Sequence, residues 1–559
     1  MPRVACLLAA ALTLGAARPT TEDPLLAEAL SRVSGRAVRA HVEFLADDLL
    51  EGRATGTRGY DIAARYVVAE LAGLGLAPAG ENGGYLQQVP LLQSRLVEGT
   101  LSLTGVSGKA VLTPREEFLM AADTSRTESR VEAPVVFAGY GVRAPRQGQD
   151  DYAGLEVKGK IVAVLSGAPA RFPSEERAYH ASRSRKAELA AERGAVGVLA
   201  LRTPAEEART PWPRLVDTAS APQARWIRPD GTPEGALPGL RGSALLSAAA
   251  ARQLFAASPL PLDEAFAAAG QASFRGFPLG ASATLMARSE HSRITSPNVI
   301  GLLEGSDPAL RSSYVVYSAH LDHVGPSAEG AGDRIHNGAY DNALGVGVVL
   351  EVARVLAGLE PRPRRSLLFL FVTAEEQGLL GSDYFAANPT VPKAGIAANV
   401  NVDMPLLLFP PAEVVAFGAE NSTLEGAARA AAGAAGLALA PDPMPEETIF
   451  VRSDQYSFVR RGVPAVYFSP GMRSADAAQD GPRLFREFLG RHYHRPSDDL
   501  SLPMDLGAIA LYTRANVALG FEIAQDPRAP RWKPGNFFAE TFGGGGSGAA
   551  PRDARPIAP

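Results

Sequence analysis

Apolar and polar positions along the chain change texture four times. The first residues carry one positive charge, Arg3, then an apolar stretch from Val4 to Leu14 and the small triplet Gly15-Ala16-Ala17. That order predicts a cleavable export signal, residues 1–17, ending near Ala17. Between Glu28 and Leu74, residues such as Ile62, Tyr66, Val67 and Leu71 recur at helical spacing, which predicts two helices around a glycine-rich loop, Glu51-Gly52-Arg53-Ala54-Thr55-Gly56. From residue 114 to 285 short valine-rich runs appear among many prolines: Pro134 to Phe137, Lys160 to Leu165 and Val196 to Ala200, with one helix around Ser182 to Arg193. That stretch reads as an α+β module of its own.

Beyond about Ile294, strongly apolar strands alternate with helices, the pattern of a three-layer α/β domain. Strands are expected at Asn298 to Leu303, Tyr314 to Ala319, Leu367 to Thr373, Ala398 to Val402 and Ala465 to Phe468. Helices are expected at Leu344 to Leu356, Leu379 to Ala387, Leu424 to Ala435 and Leu506 to Ile523. The end of the chain, residues 536–559, runs out into Gly, Ala, Pro and Arg and reads as a disordered tail.

Composition narrows the chemistry. The 559 residues are 46% hydrophobic and 21% charged, with 55 basic against 60 acidic side chains and a net charge of -5. No strong field favours nucleic acid or an anionic membrane. No segment reaches the ~20 apolar residues that a membrane span needs. The single cysteine, Cys6, excludes an intrachain disulfide framework and a thiolate-built metal site, so any metal must be held by His, Asp and Glu. Loss of Cys6 with the signal suits a secreted or periplasmic protein.

In an open α/β sheet, ligands bind beyond the carboxyl ends of the strands. Here Tyr314 to Ala319 runs into His320-Leu321-Asp322, Leu367 to Thr373 into Ala374-Glu375-Glu376, and Ala398 to Val402 into Asp403. Asp341-Asn342 opens the helix after the first of these strands, and His494 lies in the loop Tyr493-His494-Arg495-Pro496-Ser497-Asp498. Each piece alone has a structural reading: a hydrogen-bonded loop histidine, an N-cap aspartate, glutamates drawn to a helix start. Together they predict a metal site. Asp341, Glu376 and Asp403 bring three negative charges against four positive ones from two divalent ions, and a hydroxide completes neutrality. Imidazole and carboxylate without thiolate suit zinc, with cobalt or manganese as replacements. Two metals acidify water and polarise a carbonyl, which leaves Glu375 to move protons.

The run Ser318-Ala319-His320-Leu321-Asp322-His323-Val324-Gly325, with Tyr340-Asp341-Asn342-Ala343, Thr373-Ala374-Glu375-Glu376-Gln377-Gly378, Asn401-Val402-Asp403-Met404 and the His494 loop, resembles the successive motifs of the M28 peptidases, the co-catalytic zinc aminopeptidases. Phe137-Ala138-Gly139-Tyr140-Gly141-Val142 and the stretch from Asp151 to Val162 resemble the protease-associated (PA) module that many M28 proteins insert. The resemblance implies a three-layer α/β/α zinc-peptidase domain with a mixed sheet, in two parts (18–113 and 286–535), interrupted by a PA domain at 114–285. It implies two zinc ions per chain: Asp341 bridging both, His320 and Asp403 completing one, Glu376 and His494 the other. Glu375 is then the general base toward an attacking hydroxide shared by the ions. Asp322 accepts from the far nitrogen of His320, and the Asp341-Asn342 peptide is cis.

His323 and His492 have no ligand position in this scheme and are read as structural. Arg452-Ser453-Asp454-Gln455 departs from the family's Ser-Asp-His motif at Gln455, and Arg452 is read either as facing substrate or as a surface residue. The implied activity is an exported aminopeptidase acting on peptides with a free N-terminus. Alternatives on the same scaffold are a carboxypeptidase, an amidohydrolase or a glutaminyl-cyclase-like enzyme; a non-catalytic PA-domain binding protein predicts eroded ligands, and none is eroded. No serine carries the glycines of a Gly-x-Ser-x-Gly elbow, and no His-Glu-x-x-His occurs. Gly345-Val346-Gly347 lies inside an apolar helix and serves close packing.

Overall fold

The computed structural model describes residues 23–105, 108–218, 222–327 and 332–543, so the expected signal and residues 544–559 of the expected tail lie outside the described residues. The apolar runs Tyr314–His320, Ser366–Val372 and Ile396–Asn401 form neighbouring parallel strands, and Ala465–Pro470 lies parallel to the last of them. Helices cover both faces, which is why these strands are buried almost throughout and read as unbroken apolar runs. Two further strands, Glu413–Phe417 and Ala438–Ala440, extend one side, the first antiparallel to Ala465–Pro470. On the other side Val299 to Leu303 pairs antiparallel with Leu367 to Phe371, so the sheet is mixed.

One face carries helices Gly35–Leu45, Arg58–Gly73, Leu344–Ala357 and Leu506–Gln525, whose Val42, Val67, Val349 and Leu519 pack with Val315, Tyr317 and Phe369. The opposite face carries Leu380–Ala387, Gln455–Val459 and Phe537–Phe542, with Phe385, Phe458 and Phe538 against Val316, Leu368 and Leu370. The last of these helices occupies the start of the expected tail. Three phenylalanines in six residues supply an apolar face that the glycine-rich remainder lacks.

The region 114–285 has its own strands, Glu128–Phe137, Ile161–Leu165, Gly197–Leu201 and Ser243–Leu246, between helix Arg183–Glu192 on one face and helices Ala248–Leu254 and Leu262–Ala269 on the other. It shares one continuous sheet with the rest of the chain. The connection is a long antiparallel ribbon, Leu86–Thr104 against Phe277–Leu303, paired from Leu86 and Val299 to Thr104 and Ser282. The boundary expected at 285/286 falls inside this ribbon.

Side chains fasten the insert as well. Trp226 Nε1 donates to Asp383 Oδ2 at 2.8 Å, and Arg214 Nη2 donates to the Leu489 carbonyl at 3.0 Å. The C-terminal segment straps across both parts: Trp532 Nε1 donates to the Gly462 carbonyl at 2.8 Å, while the Phe537 ring lies 5.2 Å from Tyr179 and 5.8 Å from His180 of the insert.

His180 in that aromatic contact is 4% exposed, and its Nδ1 has no hydrogen-bond partner among the described residues. Burial, helped by Lys186 and Arg185, pushes it down to about 3 from 6.5. Between those values the unfolded chain binds the proton and the folded one does not, so stability rises with pH and is lost as pH falls below 6.5. Acidification from pH 7 to 5 should cost about 2 kcal/mol through this group. The His180→Phe variant, which keeps an aromatic ring among Phe172, Tyr179 and Phe537, should lose that share in equilibrium urea unfolding at the two pH values. An unchanged difference between them rules the effect out.

Candidate metal centre

The cluster forms where the parallel strands end. His320 is the last residue of its strand, Glu375 and Glu376 follow Ser366–Val372, and Asp403 follows Ile396–Asn401. Asp341 sits in the irregular turn Ala339–Ala343 that leads into helix Leu344–Ala357, and His494 in the loop after helix Gly481–Arg491. Three non-glycine residues here take left-handed backbone: Ala374 (φ 54°) before Glu375, Met404 (φ 39°) after Asp403, and His494 itself (φ 55°). Such strain persists where surrounding structure over-determines it, commonly at functional sites. The Asp341-Asn342 peptide is cis.

Asp341 divides its two oxygens between two sets of groups. Its Oδ1 lies 3.2 Å from His320 Nε2, which is 3.0 Å from Asp403 Oδ1. Its Oδ2 lies 3.1 Å from His494 Nε2, which is 3.0 Å from Glu376 Oε2. All five expected ligands thus converge, three around each half of the cluster with Asp341 common to both. Burial opposes charge on His320, yet Asp403, Glu375 and Asp341 outweigh it and hold the imidazole well above its ordinary pKa. The same contest at His494 is won by Glu376 and Asp341. Burial alone would raise Glu376; His494 beside it holds the carboxyl down to about 2. These acids and imidazoles stay charged only because each supplies the other's counter-charge.

The donor set fits a pair of divalent cations. The carbonyl of Asp322 accepts from His320 Nδ1 at 3.0 Å, which fixes the proton there and turns Nε2 toward Asp341 and Asp403. Buried Asp341 Oδ2, His494 Nε2 and His323 Nε2 have no hydrogen-bond partner among the described residues, although the first two are within 3.1 Å. Polar atoms buried, convergent and unpaired are a poor arrangement without a cation between them.

Neighbouring groups hold this geometry. Asp498 accepts from the backbone N–H of Tyr340 (2.9 Å) and Asp341 (3.0 Å). Asn342 accepts from Met404 N (3.0 Å) and donates to the Val402 carbonyl (3.0 Å), joining the Asp341 turn to the Asp403 loop. Ser453 Oγ donates to Asp403 Oδ2 at 2.6 Å, and Tyr467 Oη to the Asp403 carbonyl at 2.7 Å.

Asp322 differs from the expected arrangement. Its backbone carbonyl, not its carboxylate, meets His320, because the carboxylate is turned away to accept from Glu375 N (3.1 Å), Glu376 N (3.4 Å) and Thr55 Oγ1 (3.0 Å). His323, read as structural, lies at the edge of the ligand set: fully buried, it donates from Nδ1 to Glu376 Oε1 at 2.7 Å and stands 3.9 Å from Asp341 Oδ2. Only its place two residues beyond Leu321 in the same loop signalled this. His492 stays outside, bonded to Ser497 at an exposed helix end. Gln455 is buried in the scaffold, donating to the Phe450 carbonyl (2.7 Å) and accepting from Asn401 (3.0 Å). Arg452 is half exposed and meets Glu447 at 3.4 Å.

Glu375 stands apart from its neighbour. Its carboxylate makes no hydrogen bond to another described residue, and burial, with Asp403 and Glu376 nearby, pushes it well above the ordinary range. A carboxyl so placed beside the cluster can take up and give back a proton.

Residues 298–519, which contain every member of the cluster, match the model described as Peptidase family M28. A mouse protein, Aminopeptidase NAALADL1, is 36% identical over 113 residues, 20% of this chain and 13% of the relative. Leupeptin-inactivating enzyme 1 of Streptomyces exfoliatus is 35% identical over 111 residues, 20% of this chain and 23% of the relative. The chain therefore spans under a quarter of the length of these curated relatives. The solved structure of an aminopeptidase from Aneurinibacillus sp. strain AM-1 shares the fold over 91% of this chain and 97% of its own, with a TM-score of 0.53 and 19% identity.

Proposed function

We propose that the protein is a two-zinc aminopeptidase of the M28 type that removes N-terminal residues from peptides. The observation that carries this reading is the division of Asp341, one oxygen toward His320 and Asp403, the other toward His494 and Glu376. Two zinc ions held by these five residues would polarise the scissile carbonyl and acidify water. Glu375, raised in pKa and unbonded, accepts the proton of the attacking water and returns it to the leaving amine. Asp322, by accepting from the Glu375 and Glu376 amides, holds the base and its neighbouring ligand in fixed relation. Export through residues 1–17 and a PA-type insert at 114–285 belong to the same proposal; the family match and the aminopeptidase names among the relatives support its catalytic part.

The test is a panel of aminoacyl anilides, N-blocked peptides and C-terminally blocked peptides, each with and without chelator. Cleavage restricted to free N-termini, abolished by chelator and restored by zinc, is expected. Preference for N-blocked substrates with a free C-terminus would overturn the aminopeptidase reading, and chelator-insensitive cleavage would overturn the metal.

A further inference from the structure

Behind the cluster runs the glycine-rich loop Glu51 to Gly56, placed by neither ligand nor substrate chemistry. Its centre, Arg53, is 1% exposed with a left-handed backbone (φ 49°). Arg53 Nε donates to the Leu321 carbonyl at 3.0 Å, Nη1 to the Asn337 carbonyl at 2.6 Å and to that of Leu45, and Nη2 to the Gly338 carbonyl at 3.1 Å. Leu321 follows the ligand His320, and Asn337 and Gly338 lead into the turn that carries Asp341. The Arg53 carbonyl accepts from His323 N at 3.3 Å. Two residues on, Thr55 Oγ1 donates to Asp322 Oδ2, the carboxylate that accepts from the Glu375 and Glu376 amides. At Gly52 a Cβ would stand 2.3 Å from the His336 carbonyl, so only glycine lets the loop approach this closely.

One loop therefore touches the backbone or the immediate partner of three ligand-bearing segments, 320–323, 337–341 and 375–376. No ion pair of Arg53 with a carboxylate occurs among the described residues; its hydrogen bonds go to carbonyls, while Asp498, Asp322, Asp341 and Glu376 favour its charge through space. A planar guanidinium with five fixed donors can span carbonyls set apart in fixed directions, and its charge persists when buried; an ammonium must gather its acceptors around one compact centre, as Lys186 does with the carbonyls of Tyr140, Leu165 and Gly167.

We propose that Arg53, with Thr55, is a positioning residue of the metal centre: it sets the spacing between the His320 and Asp341 loops and faces the anionic ligand set with a permanent buried cation. The proposal rests on the two-metal reading above.

The test uses the full chain, stripped of metal and titrated with Co2+, whose visible absorption band reports ligand geometry. Wild type is measured first, followed by Arg53→Lys, Arg53→Met and Thr55→Val. Failure of wild type to bind Co2+ overturns the metal reading, and this proposal with it. With wild-type binding in place, both Arg53 variants should lose about 10- to 100-fold in Co2+ affinity and alter the band, as partners outside the ligand set do. Zinc-loaded Arg53→Lys should lose kcat while KM stays within about threefold. Lysine should fail to rescue because the fork is missing although the charge is kept. Wild-type affinity and an unchanged band in Arg53→Lys overturn the positioning role while leaving the metal reading intact. If the Arg53 variants do not fold, Thr55→Val decides: a weakened site with a shifted band supports the role, and a wild-type titration and spectrum overturn it.

Discussion

Glu375→Gln should lower turnover at least ~100-fold, the low end of what a positioned general base contributes, while zinc content stays that of the wild type. The two glutamates in sequence make the contrast sharp. Both oxygens of Glu376 are engaged, one by His323 at 2.7 Å and one by His494 at 3.0 Å, so its removal should cost metal. The carboxylate of Glu375 touches no described hydrogen-bonding partner; its backbone alone is tied, the N–H to Asp322 at 3.1 Å and the carbonyl to the N–H groups of Gly378 (2.8 Å) and Leu379 (2.9 Å). Glutamine keeps its volume and shape but cannot accept a proton at the pH where the enzyme works. Metal analysis alongside kcat is the measurement. A variant that keeps both metal and turnover removes Glu375 from proton transfer; one that loses metal as well makes it a ligand instead.

Asp341→Ala should act on the metal itself. Asp341 is the member common to both halves of the cluster, and its loss takes one of the three formal ligand charges and removes the carboxylate that His320 and His494 share. Loss of a partner outside the ligand set costs 10- to 100-fold in affinity, so loss of a shared ligand should exceed ~100-fold and extend to both ions. Calorimetric titration of the apoprotein with zinc should find no site of wild-type affinity. By contrast Asp403→Ala or His494→Ala should weaken one site more than the other. Two intact sites in Asp341→Ala would take the bridging arrangement away.

Much of this centre could be read from the sequence because it lies at the ends of buried parallel strands. A continuous apolar run has no reason to end in His320, in Glu375 and Glu376, or in Asp403 unless the edge serves chemistry, so those residues stood out. Asp341 and His494 sit on irregular backbone; their places at the start of a helix and in a proline-containing loop before the final helix singled them out, and the motif resemblance gave them ligand roles. The supporting groups were illegible for a different reason: what Arg53 or His323 does depends on carbonyls and carboxylates hundreds or tens of positions away. Asp322 shows the limit well, since its residue type was right for meeting His320 while the backbone made the contact and the side chain went elsewhere. In the fold, the ribbon strands, apart from the expected Asn298 to Leu303, escaped notice because their outward positions are polar and prolines and glycines interrupt them. The strand Glu413–Phe417 was not among the expected strands either.

The ribbon also determines where the chain can be cut. An insert hung on two flexible linkers can be excised at its ends, but here the ends are hydrogen-bonded to each other along most of their length. Deleting 114–285 would leave Leu101 to Thr104 without partners and strip the strands that flank the ribbon, exposing a raw sheet edge, an invitation to edge-to-edge association. A cleaner minimal enzyme would cross over within the ladder, where Leu92 lies opposite Arg293, and close the two strands with a tight Asn-Gly turn. The same ladder continues through Val299 into the strand beside Ser366–Val372, so bending the insert on its base would mean breaking pairs next to the glutamate loop.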